Sequence, residues 1–233
     1  MRIGILEADK VIEGLRSEFG SYADMFEAWL NHSRDNLSFS RYDVTAKIYP
    51  ENVRECDAYI ITGSRASVLE QEEWMAPLSQ FVCDIISSKK KLLGFCFGHQ
   101  LIATTLGGEV GKSPCGWRAG LSRDVVYQSR SWMKPAVAHF AIPVIHQEQV
   151  IRLPEEATPI SGNNDCRYGT IQYGSTTLTF QGHPEHRRGY TRSLLLVRQH
   201  LMADSFLWQA LESLQHVDDN CLVGNWVINF LDS

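Results

Sequence analysis

The chain has 233 residues, 44% of them apolar, enough to bury a sizeable core, and it reads as one domain, 1–233, with a helical, apolar tail from about 200. A net charge of −5, with no basic run longer than Lys89-Lys90-Lys91, argues against a nucleic-acid surface, and no run approaches the ~20 apolar residues that span a bilayer. Glu7 and Asp9 interrupt the apolar start too soon for a secretory signal, and six cysteines without a C-x-x-C pair fit reduced thiols in a cytoplasm.

Residues 3–6 predict a first strand. Ser21-Tyr22-Ala23-Asp24 carries the S-x-x-D signature of a helix start, and Met25, Phe26, Trp29 and Leu30 then share one helical face. Residues 42–49 alternate as a strand does until Pro50, and residues 57–62 form a third strand that runs into Gly63-Ser64. Residues 72–88 have helical spacing, with Trp74, Leu78, Phe81, Val82 and Ile85 toward a core, and Lys89 to Lys91 form its solvated end. A short apolar strand then enters Gly94-Phe95-Cys96-Phe97-Gly98, followed by a helix that stops at Gly107-Gly108.

The pattern then turns β-rich. Val125-Val126 and residues 142–145, 158–161, 169–173 and 176–180 read as short strands, with 129–138 irregular or briefly helical. Residues 190–201 form a helix, and Phe206, Leu207, Ala210, Leu211 and Leu214 mark a second. Residues 218–233 hold an apolar set including Val223, Trp226 and Phe230, which docks either on the domain or on a partner. Strands alternating with helices define an α/β protein with a mostly parallel sheet covered on both faces, extended by antiparallel strands from the β-rich middle. Ligands collect at the carboxyl ends of such strands, where Gly63, Cys96 and His183 all fall.

A strand feeding a helix through Gly94-x-Cys96-x-Gly98 is the thiol version of the G-x-S-x-G nucleophile elbow. Its glycines leave room for a sharp turn, and the helix N-terminus beyond favours negative charge. Alone, the five residues equally suit a buried cysteine on a tight strand-helix turn. Phe180-Gln181-Gly182-His183-Pro184-Glu185 changes that balance. In extended chain, residues two apart project to the same side with Cα atoms roughly 6.5 Å apart, so Glu185 can orient the His183 imidazole and stabilise its protonated form. That makes a base with its orienting acid, for which Cys96 is the nucleophile.

On these residues the sequence resembles the class I glutamine amidotransferases. Gly94, Cys96, Gly98 and Gln100 fit the motif G-x-C-x-G-x-Q, and Phe180, Gln181, His183, Pro184 and Glu185 fit F-Q-x-H-P-E. The resemblance runs from Met1 to about Arg198. It implies a flavodoxin-like three-layer αβα sandwich, a triad of Cys96, His183 and Glu185, and an oxyanion hole from the amides of Gly63 and Phe97. It also implies substrate contacts from Gln100, Trp117 and His146; by residue type alone these are a surface helix residue, a packing tryptophan and a structural histidine, and Gly63 a plain turn. The implied reaction hydrolyses the γ-glutamyl amide of glutamine or a related small molecule through a Cys96 thioester, with no metal and no cofactor. The chain has no G-x-x-x-x-G-K-[ST] phosphate loop, so released ammonia would pass to a separate synthetase subunit, or the chain is a stand-alone γ-glutamyl hydrolase. The tract from Gly20 to Phe26, and Thr62-Gly63-Ser64 with Val68, resemble most the stand-alone relatives of the GMP synthase amidotransferase domain, which include γ-glutamyl peptidases acting on glutathione-type conjugates. Two readings come from other classes. Cys96, His99, His183 and His186 have the composition of a Cys/His₃ zinc site, and a non-catalytic binding module could keep the same fold.

Overall fold

Period-two alternation along short apolar strands decides which helix covers which face. The computed structural model describes residues 1–233, and in it strand β1 (Arg2–Glu7) sends Ile3 and Ile5 into one core and Leu6 into another. Helices α1 (Glu13–Phe19) and α2 (Tyr22–Ser33) follow. The capping box expected at Ser21 is present: its Oγ accepts from the Asp24 N–H at 3.1 Å, and Asp24 Oδ2 accepts from the Ser21 N–H at 2.7 Å. Strands β2 (Ser38–Asp43), β3 (Ala58–Ile61) and β4 (Lys91–Phe95) join β1 in parallel. Helices α3 (Met75–Ser87) and α4 (Phe97–Thr105) pack on the face carrying Tyr59, Ile61 and Leu92.

The chain then makes β5 (Glu109–Lys112), β6 (Arg118–Val126), β7 (His139–His146), β8 (Glu148–Arg152), β9 (Ala157–Gly162), β10 (Thr170–Tyr173) and β11 (Thr177–Phe180). Strand β11 lies parallel beside β4, and antiparallel pairing carries the sheet outward to a nine-stranded order β2-β1-β3-β4-β11-β10-β9-β6-β7. Strands β5 and β8 pair apart from it. Helices α5 (Arg188–Val197), α6 (Asp204–Ser213) and α7 (Asn220–Asp232) complete the chain. Helices α2 and α7 cover the second face, where Phe26, Trp29, Phe95, Phe180, Trp226 and Phe230 share one core. A mixed sheet with a parallel half, helices on both faces and an antiparallel extension is the expected three-layer sandwich.

Several elements differ from expectation, each for a local reason. The second strand is Ser38–Asp43 rather than 42–49: Asp43 Oδ1 accepts from the Ala46 N–H at 3.1 Å and turns the chain into a short 3₁₀ helix, Val44–Ala46. Val125-Val126 is only the end of the nine-residue β6, while α1, β5 and β8 are too short for their periodicity to register. The helix expected over 190–201 runs from Arg188 to Val197, followed by a 3₁₀ turn, Gln199–Leu201. The apolar tail docks on its own domain: Trp226 is 1% exposed, and Trp29 Nε1 donates to the Asn220 carbonyl at 2.8 Å. No helix is long and apolar enough to cross a membrane.

Candidate active site

Strand β4 ends at Phe95, and Cys96 turns the chain into α4 with φ 50° and ψ −99°, a conformation that costs a residue bearing a Cβ about 1–3 kcal/mol. The surrounding contacts hold it there. The Cys96 N–H donates to the Phe180 carbonyl at 2.8 Å, prolonging the β4–β11 ladder by one bond. A methyl on Gly98 would lie 2.5 Å from the Ile61 carbonyl oxygen, and one on Gly94 would lie 2.7 Å from Ile102 Cδ1 and 2.8 Å from the Gly98 carbonyl carbon. Glycine is needed at both positions because three backbones converge under the thiol. Cys96 itself is 7% exposed, at the floor of a cleft.

Gly63 follows β3, and Thr62 fixes it: Thr62 Oγ1 accepts from the Ala8 N–H at 2.9 Å and donates to the Gly63 carbonyl at 3.0 Å. A Cβ on Gly63 would stand 2.7 Å from His183 Cε1 and 3.6 Å from Cys96 Cβ, so this bare backbone lies against both side chains.

His183 comes from the turn after β11. Its N–H donates to the Pro143 carbonyl of β7 at 2.7 Å, and Nδ1 lies 2.7 Å from Glu185 Oε1. The pair meets across a turn rather than along extended chain, which corrects the geometry expected from the sequence. Both side chains are buried. Burial alone would depress the His183 pKa; the Glu185 carboxylate first, then the adjacent Cys96 sulfur, outweigh it and push it up to about 10. The imidazole is therefore held protonated at neutral pH.

Gln181 Nε2 donates to Cys96 Sγ at 3.6 Å, and Gln181 Oε1 in turn accepts from Gln100 Nε2 at 3.2 Å. Gln100 is buried rather than a surface residue, and its amide also donates to the Glu148 carbonyl at 2.8 Å. His146 is buried, with Nδ1 3.0 Å from the same carbonyl. Burial first, with the His183 and Arg118 charges adding to it against the bond to Glu148, pushes His146 down to about 3, so it is neutral. Cys96, Phe97, Gln100, Trp117 and His146 all line one cleft of about 380 Å³, the phenyl-bearing Phe97 beginning α4.

Behind His183 stands His186. Their rings are parallel, 5° apart in plane and 4.1 Å between centroids, and Tyr190 meets His186 edge-on at 4.6 Å. Neither ring nitrogen of His186 has a hydrogen-bond partner, and burial, with the His183 and Arg198 charges, holds it well below the ordinary histidine value. A neutral, flat surface therefore backs the charged ring. Gln181 and His186 were not anticipated as site residues: Gln181 is in the F-Q-x-H-P-E motif, but nothing in the sequence says that its amide reaches sulfur or that His186 stacks.

The Cys/His₃ zinc set does not assemble. His99 is buried with Nδ1 2.8 Å from Thr179 Oγ1, and the donor atoms that do lie within 4.8 Å of one another belong to His183, Glu185 and His186, without Cys96 or His99. Glu185 Oε1 lies 2.7 Å from His183 Nδ1 and 3.5 Å from His186 Nε2.

The model of the class-I glutamine amidotransferases matches residues 18–201, and the chain belongs to that family. A glutamine amidotransferase-like protein of Schizosaccharomyces pombe is 29% identical, with 98% of each chain covered. Gamma-glutamyl peptidase 5 of Arabidopsis thaliana is 25% identical, over 88% of this chain and 84% of its own. Among solved structures, a glutamine amidotransferase from Thermotoga maritima superposes with a TM-score of 0.80 at 16% identity, covering 99% of both chains, and shares the fold.

Proposed function

We propose that the chain hydrolyses the γ-glutamyl amide bond of glutamine or a related γ-glutamyl compound through a thioester on Cys96. One observation carries this reading: a buried His183 whose Nδ1 lies 2.7 Å from Glu185 Oε1 and whose ring lies, with Cys96, against the same bare backbone at Gly63. The Cys96 sulfur attacks the side-chain carbonyl, forming the C–S bond. The oxyanion accepts from the amides of Gly63 and Phe97, the latter one of the unsatisfied N–H groups at the start of α4; one such donor is worth about 10²–10³ in rate. His183 gives its proton to the leaving amine as the C–N bond breaks, then takes one from the water that splits the thioester. Residues 1–233 act in this as one domain, with Gln100, Trp117 and His146 around the substrate.

Likeness to the Arabidopsis γ-glutamyl peptidase favours a stand-alone hydrolase. The alternative, which membership of the glutamine amidotransferase family supports, is transfer of the released ammonia to a separate synthetase subunit. A panel of glutamine, γ-glutamyl dipeptides and glutathione conjugates, scored for ammonia against amine release, separates the two. Cys96→Ala should abolish turnover with the fold intact, His183→Ala should lower kcat by about 10³, and Glu185→Ala by less, since Glu185 orients rather than reacts. Full activity in Cys96→Ala would overturn the mechanism.

A further inference from the structure

The cleft above Cys96 differs in charge between its two ends. On the α4 side, Glu148 stands with Gln100 and His146, and Ser67 links it to Glu70: Ser67 Oγ donates to Glu148 Oε2 at 2.5 Å, and the Ser67 N–H to Glu70 Oε2 at 3.2 Å. On the α5 side the wall is Trp117, Arg198 and Leu201. Trp117 packs against the apolar cluster that holds Tyr190, Leu194 and Leu207, and Leu201 is 46% exposed.

Arg198 ends α5 and is half-buried, and its charge reaches His186, Tyr190 and Tyr22, the groups behind His183. Two arginines, Arg65 and Arg198, line the cleft, and they differ in one respect. Arg65 is closed off by Asp9, with Nε and an Nη donating to the two carboxylate oxygens at 2.8 and 2.7 Å. Arg198 makes no ion pair within the chain, and its guanidinium donates to no protein acceptor.

The chemistry says which part of a substrate meets that free cation. His183 must face the leaving amine to protonate it, so the leaving group departs on the imidazole's side of Cys96. That side is the α5 end: His186 stacks on His183, Tyr190 of α5 meets His186 edge-on at 4.6 Å, and Arg198 ends the same helix on the cleft wall. Ammonia leaving from glutamine is too small to reach that wall and carries no charge for it. A peptide leaving group places an apolar side chain and a carboxylate there.

We propose that Arg198, with Trp117 and Leu201, forms a leaving-group subsite for a carboxylate, so that γ-glutamyl peptides ending in a free carboxylate are preferred to neutral γ-glutamyl amides, glutamine included. The proposal deepens the hydrolase reading above and rests on it. A guanidinium–carboxylate contact in a partly desolvated cleft is worth roughly ten- to a hundredfold in discrimination.

The test compares γ-glutamyl-alanine with γ-glutamyl-alanine amide, which differ in charge and hardly in size. The wild type should favour the acid by about 10–100-fold in kcat/KM, chiefly through KM, and in Arg198→Gln the ratio should fall to about one. Binding of the same two compounds to Cys96→Ala protein, followed by calorimetry with and without Arg198→Gln, reads the preference independently of turnover. A wild-type ratio near one, or a ratio that survives Arg198→Gln even though both rates drop, overturns the subsite. An Arg198-dependent preference in binding, with neither compound turned over by the wild type, upholds the subsite and overturns the hydrolase reading instead.

Discussion

His183 is charged because of what surrounds it, and that can be measured. In the unfolded chain its imidazole titrates at 6.5; in the fold it titrates near 10, so the protonated ring stabilises the native state fully below pH 6.5 and that contribution is lost as pH rises toward 10. Activity that needs the imidazolium to protonate the leaving amine should therefore show its alkaline limb near pH 10. Glu185→Gln keeps the shape and removes the largest contribution opposing burial, so the limb in kcat/KM should move down from near pH 10 toward neutrality, with the rate above the new limb falling about tenfold per pH unit. An unmoved limb would mean that Glu185 does not set the charge. Cys96, His183 and Glu185 could be picked out of the sequence because glycines, proline and motif spacing mark them. The stack of His186 on His183 could not, because it depends on a turn that reverses the direction of residue 186. That Gln100 is buried rather than on the surface could not be read for a related reason: helical spacing cannot show that Gln181 and Glu148, from two other elements, bond its amide.

At the scale of elements, what the sequence conveys depends on length and on competition from side chains. The parallel strands β1, β3, β4 and β11 are short apolar runs buried on both faces, and they stand where alternation and glycine punctuation put them. Strand β2 slid because Asp43 offers the backbone a 3₁₀ turn, and β5 and β8 were invisible because each makes sense only against the other. The tail was legible as apolar but not as belonging to this core; its place rests on contacts with residues nearly a hundred positions or more away. Trp226 Nε1 donates to the Pro135 carbonyl at 2.9 Å, and its ring meets Phe140 at 5.3 Å and Trp132 at 6.2 Å. Trp226→Ala should cost about 3–5 kcal/mol, which for a chain of this size lowers Tm by roughly 10 °C. Thermal unfolding checks this. A shift of only a degree or two would mean that α7 does not close the core.

For the whole molecule, the sheet order is what unites residues far apart in the chain: β4 and β11 are neighbours, so Cys96 and His183 leave the same edge, and the antiparallel extension returns in β7 to hold His183 through the Pro143 carbonyl. That extension has an unusual clasp. Asp124 of β6 is buried, accepting from Ser161 Oγ of β9 at 2.9 Å and from Asn163 Nδ2 at 2.8 Å, and no cation is paired with it. Burial outweighs both hydrogen bonds and pushes its pKa up to about 6 from 3.8. A carboxylate with a raised folded pKa takes up its proton more readily in the native state, so Asp124 by itself lowers stability as pH rises from about 4 to about 6, by on the order of 2–3 kcal/mol. The buried neutral histidines, His99 and His146 at about 3 and His186 well below its ordinary value, act against it and raise stability up to pH 6.5. The loss of the His183 contribution follows between 6.5 and about 10. Asp9 works in the opposite sense: its hydrogen bonds, chiefly from Arg65, overcome burial and hold its pKa below 3.8, so its contribution is present above that value and lost in stronger acid. With three buried histidines set against one carboxylate, the fold should gain stability from pH 4 to about 6.5 and lose it beyond as His183 gives up its proton, so it is most stable near pH 6.5. Asp124→Asn should steepen the rise between pH 4 and 6, by on the order of 2–3 kcal/mol over that range, while leaving the alkaline fall in place. Thermal unfolding of both proteins across pH 3–10 decides it: a Tm difference between them that stays constant from pH 4 to 6 would show that the buried carboxylate does not couple this sheet to pH.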